Sequence, residues 1–274
     1  MRALALAALL LAMPMQAAPA AAQEDYWPDL RVELWGERKV EDAGARLRLV
    51  SPERAEHASR APVTLLADRR ADPNDPITRV WLLLERNPAP VVATFQLDAN
   101  ATLAELSTVI RVNEDQPMRA VAETRSGRLL MARTDVKGAG GCAEGGFPIY
   151  ALGRDAKDGD MTFESGEVPL AALAYPRSLT GLREGTLRIS HPNHSGFTRD
   201  PAAMHYIPAE YVETVEVGLD GAPILIWRGS ISISRDPMLT FAFLPGEAER
   251  LTVRATDTDG ETWEESFALE PEGS

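Results

Sequence analysis

The 274-residue chain has little cysteine and an excess of acid over base. Cys142 is the only cysteine, so no disulfide can form within one chain. An odd cysteine indicates a free reactive thiol or a bond between chains. With 28 basic and 41 acidic residues the formal net charge is −13. Nucleic acids and anionic lipid surfaces require a basic face, so we expect neither nucleic acid nor membrane as a partner.

Long apolar runs are confined to the first residues. Met1 to Ala22 has one positive charge at Arg2, then an apolar run, then small residues before Gln23. This pattern is typical of a secretory signal peptide and too short for a convincing spanning helix. The sequence therefore predicts a secretory signal peptide over 1–22 and export of the remainder.

Short apolar runs separated by turn residues dominate the rest of the chain. After a predicted short helix opening at Trp27-Pro28, runs rich in Val, Leu, Ile and Thr recur at regular spacing, which is typical of antiparallel sandwiches. Asp220-Gly221 and Asp259-Gly260 are strong hairpin signals. We expect strands at 62–66, 77–84, 91–97, 106–112, 118–123, 129–136, 186–190, 212–219, 223–227, 231–234, 239–243, 251–255 and 262–269.

This rhythm is interrupted between the two halves. Residues 138–178 contain clustered glycines and several turn signals and are longer than a compact domain usually tolerates as a loop. We therefore predict an all-β protein with one β-sandwich over 23–137, an irregular Gly-rich connector over 138–178, and a second β-sandwich over 179–274.

The clustered histidines are the only metal-like pattern. His191-Pro-Asn-His194 and nearby His205 could supply imidazoles, but Pro192 excludes a regular helix that would place two of them on one face. We expect loop histidines hydrogen-bonded to the backbone, and no metal. Phosphate loops, dinucleotide fingerprints and haem-attachment patterns are missing from the sequence, so we expect no cofactor.

Cys142 lies in a run of glycines. Such a segment reaches positive φ without strain and offers few side chains for packing, so we expect a mobile thiol. The unperturbed pKa of a thiol is ~8.5, and the sequence does not fix the value for Cys142. A Cys nucleophile paired with a His base would need rigid positioning, which glycine opposes. A carrier needs mobility, and ten extended residues reach about 33 Å. The predicted carrier arm consists of Gly138, Gly140, Gly141, Gly145 and Gly146 around Cys142.

Motifs in both halves resemble one known family. The run Asp135-Val-Lys-Gly-Ala-Gly-Gly-Cys142 resembles the Gly-Gly-Cys tail of SoxY, the sulfur-carrying subunit of bacterial thiosulfate oxidation. The second half resembles SoxZ, its small partner, in Ile189-Ser-His-Pro-Asn-His-Ser-Gly196, Arg199-Asp200, Ile231-Ser-Ile-Ser234, Asp236-Pro237, Phe241-Ala-Phe243 and Thr256-Asp-Thr-Asp-Gly260. The arrangement resembles a natural SoxY–SoxZ fusion of the type associated with quinoprotein dehydrogenases.

The resemblance implies two immunoglobulin-like sandwiches, a periplasmic location, and a cysteine that holds sulfur as a persulfide or thiosulfonate. Only Cys142, with Gly140 and Gly141, carries over as the functional motif. SoxY tails end in Gly-Gly-Cys-Gly-Gly, whereas Ala143 and Glu144 follow the cysteine here and the chain continues. A loop tethered at both ends reaches less far than a free tail.

The hypothesis is thus a carrier that is not itself an enzyme, with Sox-type enzymes or a quinoprotein dehydrogenase as partners. Two alternatives stay open: a non-covalent adaptor of a quinoprotein dehydrogenase with the thiol incidental, and a Cys-dependent hydrolase, which would require a histidine beside Cys142. A homodimer linked through Cys142 is also open.

Overall fold

The computed structural model describes residues 25–67, 72, 74–98, 105–143, 156–167, 181–200 and 202–269. The predicted signal peptide and residues Gly145 and Gly146 lie outside these ranges. The predicted short helix is present as α1 (Trp27–Trp35), with a proline in its first turn. The side chain of Trp35 packs with Leu83, Val121 and Leu129, which attaches the helix to the first half.

Strands make up most of the described chain, as the sequence predicts. Several predicted bounds agree with the structure to the residue, as at 77–84 and 212–219. The first half contains β1 (Val40–Asp42), β2 (Leu47–Val50), β3 (Ala61–Ala67), β4 (Ile77–Leu84), β5 (Val91–Leu97), β6 (Glu105–Ile110), β7 (Gln116–Thr124) and β8 (Leu129–Val136). The second half contains β9 (Met161–Glu167), β10 (Arg183–Ile189), β11 (Val212–Leu219), β12 (Ala222–Gly229), β13 (Met238–Phe243), β14 (Arg250–Asp257) and β15 (Thr262–Ala268).

Alternation of side chains explains how these strands build a sandwich. In β3 every second side chain is buried, from Ala61 to Ala67, while those between are more exposed. The β11–β12 hairpin turns at Asp220 and Gly221, with φ of 46° and 83°. Two consecutive positive φ angles are what a tight hairpin turn of the favoured hand requires, and Asp-Gly supplies them.

The strands form two sheets, and each half contributes to both. One sheet has nine strands in the order β1-β8-β7-β4-β5-β12-β11-β14-β15, and the other has six in the order β2-β3-β6-β13-β10-β9. Within each half, strands of the two sheets face each other as in an immunoglobulin-like sandwich. This confirms the predicted all-β fold of two sandwiches.

The two sandwiches are joined edge to edge in both sheets. Antiparallel pairing of β5 with β12 places Phe95 opposite Trp227. Pairing of β6 with β13 places Leu106 opposite Phe241. One cluster of buried apolar side chains therefore runs through both halves. Joining the sheets in this way satisfies edges that would otherwise present unpaired backbone groups.

Two local predictions were wrong. The connector predicted to be irregular contains β9, which pairs with β10 along its whole length and forms an edge of the six-stranded sheet. The predicted strand at 231–234 is instead a turn, in which Ser232 N–H donates to Ser230 Oγ. Serine side chains that bond nearby backbone groups compete with strand pairing. In the described ranges no helix combines the length and apolarity of a membrane span.

Candidate functional site

Cys142 is a free cysteine that lies buried at the seam between the two halves. Its relative exposure is 1%, which contradicts the expected solvent exposure of the thiol. The backbone of Gly141 and Cys142 contacts three other segments: Val112 after β6, Ala58 before β3, and Ser195 in the loop that follows β10. The carrier segment is therefore docked onto the fold in this structure.

Backbone hydrogen bonds hold the described part of the predicted arm. Gly140 N–H donates to the carbonyl oxygen of Asn113 at 2.7 Å, and Gly141 N–H donates to that of Val112 at 3.1 Å. Gly138 N–H donates to Asp115 Oδ1 at 3.0 Å. These contacts hold Gly138, Gly140 and Gly141 in the docked form, and the flexible arm expected from the sequence stays a prediction. Gly145 and Gly146 lie outside the described residues.

The glycines allow this docking because they lack side chains. A Cβ added to Gly141 would lie 2.3 Å from the carbonyl oxygen of Ala58, and one added to Gly138 would lie 2.6 Å from Val112 Cγ1. Both positions therefore require glycine for close packing of backbone against backbone or side chain. Gly140 differs, since its φ of 67° and open surroundings require glycine for conformation alone.

The second half completes the site through Ser195. The Ser195 hydroxyl donates a hydrogen bond to the backbone carbonyl oxygen of Cys142 and accepts one from Phe197 N–H at 3.2 Å. Ser195 is itself buried. The loop after β10 thus holds the cysteine by its backbone. The Ser195 hydroxyl bonds the carbonyl oxygen of Cys142 and not its sulfur.

Arg111 is a buried cation that links the halves beside the thiol. Its Nη2 donates to the carbonyl oxygen of Asn193 at 2.7 Å and its Nε to that of Ile233 at 3.2 Å. Its Nη1 lies 3.5 Å from the carbonyl oxygen of Gly141. The guanidinium therefore ties the docked arm to two segments of the second half.

The surroundings keep the thiol protonated. Burial raises the pKa of Cys142 to about 11, and the nearby Arg111 guanidinium opposes this rise without cancelling it. At pH 7 a thiol with that pKa is ionised in roughly one molecule in ten thousand. Since the thiolate is the nucleophile, the docked form is chemically quiet.

Two residues near the site in sequence or motif have other partners. The ammonium of Lys137, five residues before Cys142, pairs with the carboxylate of Glu53. His191 Nδ1 accepts a hydrogen bond from the backbone N–H of Asn193 at 3.1 Å, as expected of a loop histidine. Across the described ranges no imidazole hydrogen-bonds the Cys142 thiol, so the docked arrangement does not provide the base that a Cys-dependent hydrolase requires.

Arg111, Asn193 and Ser195 were not singled out from the sequence. Ser195 and Asn193 belong to the Ile189–Gly196 motif, to which we assigned no chemistry. A signal did exist for Arg111 in the sequence, because it lies between Ile110 and Val112 in the predicted apolar strand 106–112, and the structure buries it almost completely. A charged residue in such a position is rare unless it is paired or hydrogen-bonded.

Two family models match the chain. SoxY, described as "Sulfur oxidation protein SoxY", matches residues 31–142, and SoxZ, described as "Sulphur oxidation protein SoxZ", matches residues 179–268. The fold and the matches together define a β-sandwich protein of the sulfur oxidation families. More particularly, the chain joins a SoxY domain and a SoxZ domain in one polypeptide. The SoxY match ends at Cys142 itself.

Solved structures offer only distant similarity. The sulfur carrier protein SoxY from Chlorobium limicola f thiosulfatophilum is 23% identical with a TM-score of 0.33, covering 41% of this chain and 94% of that one. The CupB2 chaperone of Pseudomonas aeruginosa is 12% identical with a TM-score of 0.20, covering 86% and 99%. These scores carry no argument about function. No curated protein sequence matches the chain significantly.

Proposed function

We propose that the chain is a sulfur carrier that holds a sulfur-containing group covalently on Cys142 and presents it to partner enzymes of sulfur oxidation. The observation that carries the proposal is the position of the single cysteine, which lies at the end of the SoxY match and at the seam with the SoxZ domain. The proposal includes a periplasmic location, for which the pattern of residues 1–22 is the support.

Carrying requires the docked arm to leave the seam. The contacts that hold it are a few hydrogen bonds, each contributing about 1 kcal/mol net, together with burial of one small side chain. Their sum is a few kcal/mol, below the ~5–15 kcal/mol that stabilises a whole domain. Release of residues around Cys142 is therefore a local opening that leaves the two sheets intact.

Release also activates the thiol. In water the pKa returns towards its ordinary value near ~8.5, so a few per cent of the sulfur becomes thiolate at neutral pH. The docked state protects the thiol and the released state exposes it. The docking of Cys142 is thus compatible with carriage, although the arm we expected from the sequence was permanently mobile.

Loading on thiosulfate is an oxidation and requires an electron acceptor. The Cys142 thiol loses its proton, an S–S bond forms between its sulfur and the terminal sulfur of thiosulfate, and two electrons pass to an acceptor carried by the partner enzyme. The product is a cysteine S-thiosulfonate. The carrier supplies the nucleophile and the enzyme supplies the redox centre, so the chain itself needs no cofactor for this step.

A second candidate is favoured by the burial of the thiol. In a non-covalent adaptor for Sox-type enzymes or a quinoprotein dehydrogenase, Cys142 would be a structural residue of the seam. Phe197, Met204 and Tyr206, with exposures of 45%, 60% and 65%, would then offer apolar surface to the partner. A disulfide-linked homodimer through Cys142 is incompatible with the docked state, because its sulfur is covered.

The Cys142→Ser variant separates the two functions. In a reconstituted thiosulfate-oxidising system, a carrier loses all stimulation of the partner enzymes with this change, whereas an adaptor retains it. Serine is nearly isosteric with cysteine, and the backbone carbonyl bonded by Ser195 is unchanged, so the fold should be kept. Retention of full stimulation by the variant would exclude covalent carriage.

A further inference from the structure

A second polar cluster lies in the SoxZ domain, outside the cysteine site. One ligand atom each from His191, Glu210 and Asp257 lie within 4.8 Å of one another. The three residues come from separate elements: His191 follows β10, Glu210 precedes β11, and Asp257 ends β14. A group that bound all three would connect the loop between β10 and β11 to the β14–β15 hairpin.

His191 directs an unsatisfied nitrogen at the two carboxylates. Its side chain is completely buried, and its Nε2 lies 3.7 Å from Asp257 Oδ2, too far for a hydrogen bond. Among the residues that the structure describes, Nε2 has no hydrogen-bond partner, although it is buried. The ring is fixed from the other side, since Nδ1 contacts the Asn193 side chain at 2.8 Å and its edge packs against Trp263.

The carboxylate of Asp257 is similarly held in place through one of its two oxygens. Its Oδ1 accepts hydrogen bonds from the backbone N–H groups of Asp259 at 3.0 Å and Glu261 at 2.8 Å. Its Oδ2 faces His191. Asp257 is 3% exposed, and a buried carboxylate is costly unless a positive charge compensates it. Glu210 adds a second negative charge from the more exposed side of the cluster.

We propose that His191 Nε2, Glu210 and Asp257 bind a divalent transition-metal ion, with zinc as the best match. One imidazole and two carboxylates are ligands that zinc accepts at about 2.0–2.2 Å. Tetrahedral bonds of that length separate ligand atoms by roughly 3.3 Å. The observed 3.7 Å between His191 Nε2 and Asp257 Oδ2 needs a small contraction, and the spacing of up to 4.8 Å within the cluster needs Glu210 to move inward on binding. The fourth position is open to water or to a ligand.

The contacts of His191 suit a metal ligand. His191 Nδ1 lies 2.8 Å from Asn193 Oδ1 and 3.1 Å from the Asn193 backbone N–H. A metal-bound imidazole donates its other ring N–H to an oxygen, so an ion on Nε2 would select the contact in which Nδ1–H donates to Asn193 Oδ1. A doubly charged cation would also balance the two carboxylates. The competing arrangement is a protonated His191 that neutralises Asp257 and Glu210 without any ion, and the experiment below distinguishes the two.

The proposed ion would reinforce the seam at Cys142. Asn193, which contacts His191, also accepts the hydrogen bond from Arg111 through its backbone carbonyl. Ser195, two residues further along, bonds to the carbonyl of Cys142. The ion would therefore order the loop against which the carrier arm docks. This inference concerns the SoxZ domain and stands whether or not Cys142 carries sulfur.

The test is metal binding by the full exported chain in a Cys142→Ser background, which removes the one thiol that could bind metal. After chelator treatment and dialysis, titration with Zn²⁺ should give one equivalent bound, and Co²⁺ should give a visible d–d spectrum. Asp257→Asn and Glu210→Gln should each weaken binding at least tenfold. Asp257→Asn keeps an oxygen for the Asp259 and Glu261 amides, so its fold is expected to survive.

Two matched variants control for surface binding. His205→Ala and Asp259→Asn remove a histidine and an aspartate that are exposed nearby, and both should bind Zn²⁺ as the parent does. Zn²⁺ should also raise Tm of the parent but not of Glu210→Gln, because only a bound ion stabilises the fold. Absence of stoichiometric binding, or equal binding by all variants, would overturn the proposal in favour of the protonated histidine.

Discussion

The hydroxyl of Ser195 donates a hydrogen bond to the backbone carbonyl of Cys142, so the SoxZ domain holds the last residue of the SoxY domain in place. This contact, with those of Arg111, makes the cysteine part of the seam. The seam is the interface that both sheets already cross. In our account it has two roles, joining the domains and storing the thiol.

Removing the Ser195 hydroxyl should loosen the docked arm. One hydrogen bond contributes about 0.5–1.5 kcal/mol, so Ser195→Ala should speed alkylation of Cys142 roughly 2–12-fold under native conditions. The measurement is the rate of iodoacetamide labelling. Ser165→Ala, at an exposed position of β9, serves as the control and should label at the parent rate. Equal rates for Ser195→Ala and the parent would mean that this contact does not restrain the arm.

Adding a methyl group at Gly141 should prevent docking. The new Cβ would overlap the carbonyl oxygen of Ala58, which belongs to the backbone and cannot turn aside. We expect Gly141→Ala to expose the thiol and raise its labelling rate at least tenfold. Gly166→Ala is the matched control, because a Cβ there meets nothing within 4 Å. A Gly141→Ala variant that stays as protected as the parent would contradict the observed packing.

The thiol of the folded protein should ionise only at high pH. Burial raises the pKa of Cys142 to about 11, so docking is fully favoured below the ordinary pKa of a thiol. As the pH rises towards about 11, each unit should weaken docking about tenfold, because the released arm loses its proton first. The measurement is the absorbance of the Cys142 thiolate at 240 nm as the pH is raised. A midpoint near or below ~8.5 in the folded protein would show that the thiol is not buried in solution.

The stability of the whole fold should depend on the pairing of the two halves. Trp227 is buried in β12, opposite Phe95 of β5. Trp227→Ala should lower the free energy of unfolding by about 3–5 kcal/mol, as expected for removal of a large core side chain. Denaturant unfolding is the measurement. Tyr206→Ala, at a mostly exposed position, should change the free energy of unfolding little. If the two variants were equally stable, the seam would not be part of the core.

The sequence predicts the local elements of this fold better than their arrangement. Short apolar runs bounded by turn residues placed β4, β5, β8 and β11 to the residue, because composition and turn signals are local properties. The pairing of β5 with β12 is not local, since any exposed strand edge could have taken that place. β9 was missed because Glu164-Ser-Gly166 has the composition of a turn, which an edge strand tolerates.

For the candidate site, too, the local feature was predictable from the sequence and its surroundings were not. Cys142 is identified by being the only cysteine and by the resemblance of its surroundings to SoxY. Its burial was not predictable, because glycine has two opposite meanings. It gives a free backbone flexibility, and it lets a docked backbone approach Ala58 and Val112 closely. Which of these two effects applies depends on the residues that the glycines contact, and these residues come from distant parts of the chain.

The most direct test of the central claim is the intact mass of the protein after incubation with thiosulfate and sulfur-oxidising partner enzymes. The account predicts one covalent sulfur-containing adduct, mapped to Cys142, removed by a thiol reductant and missing from the Cys142→Ser variant. Unmodified protein under conditions that load an authentic SoxY subunit would contradict it.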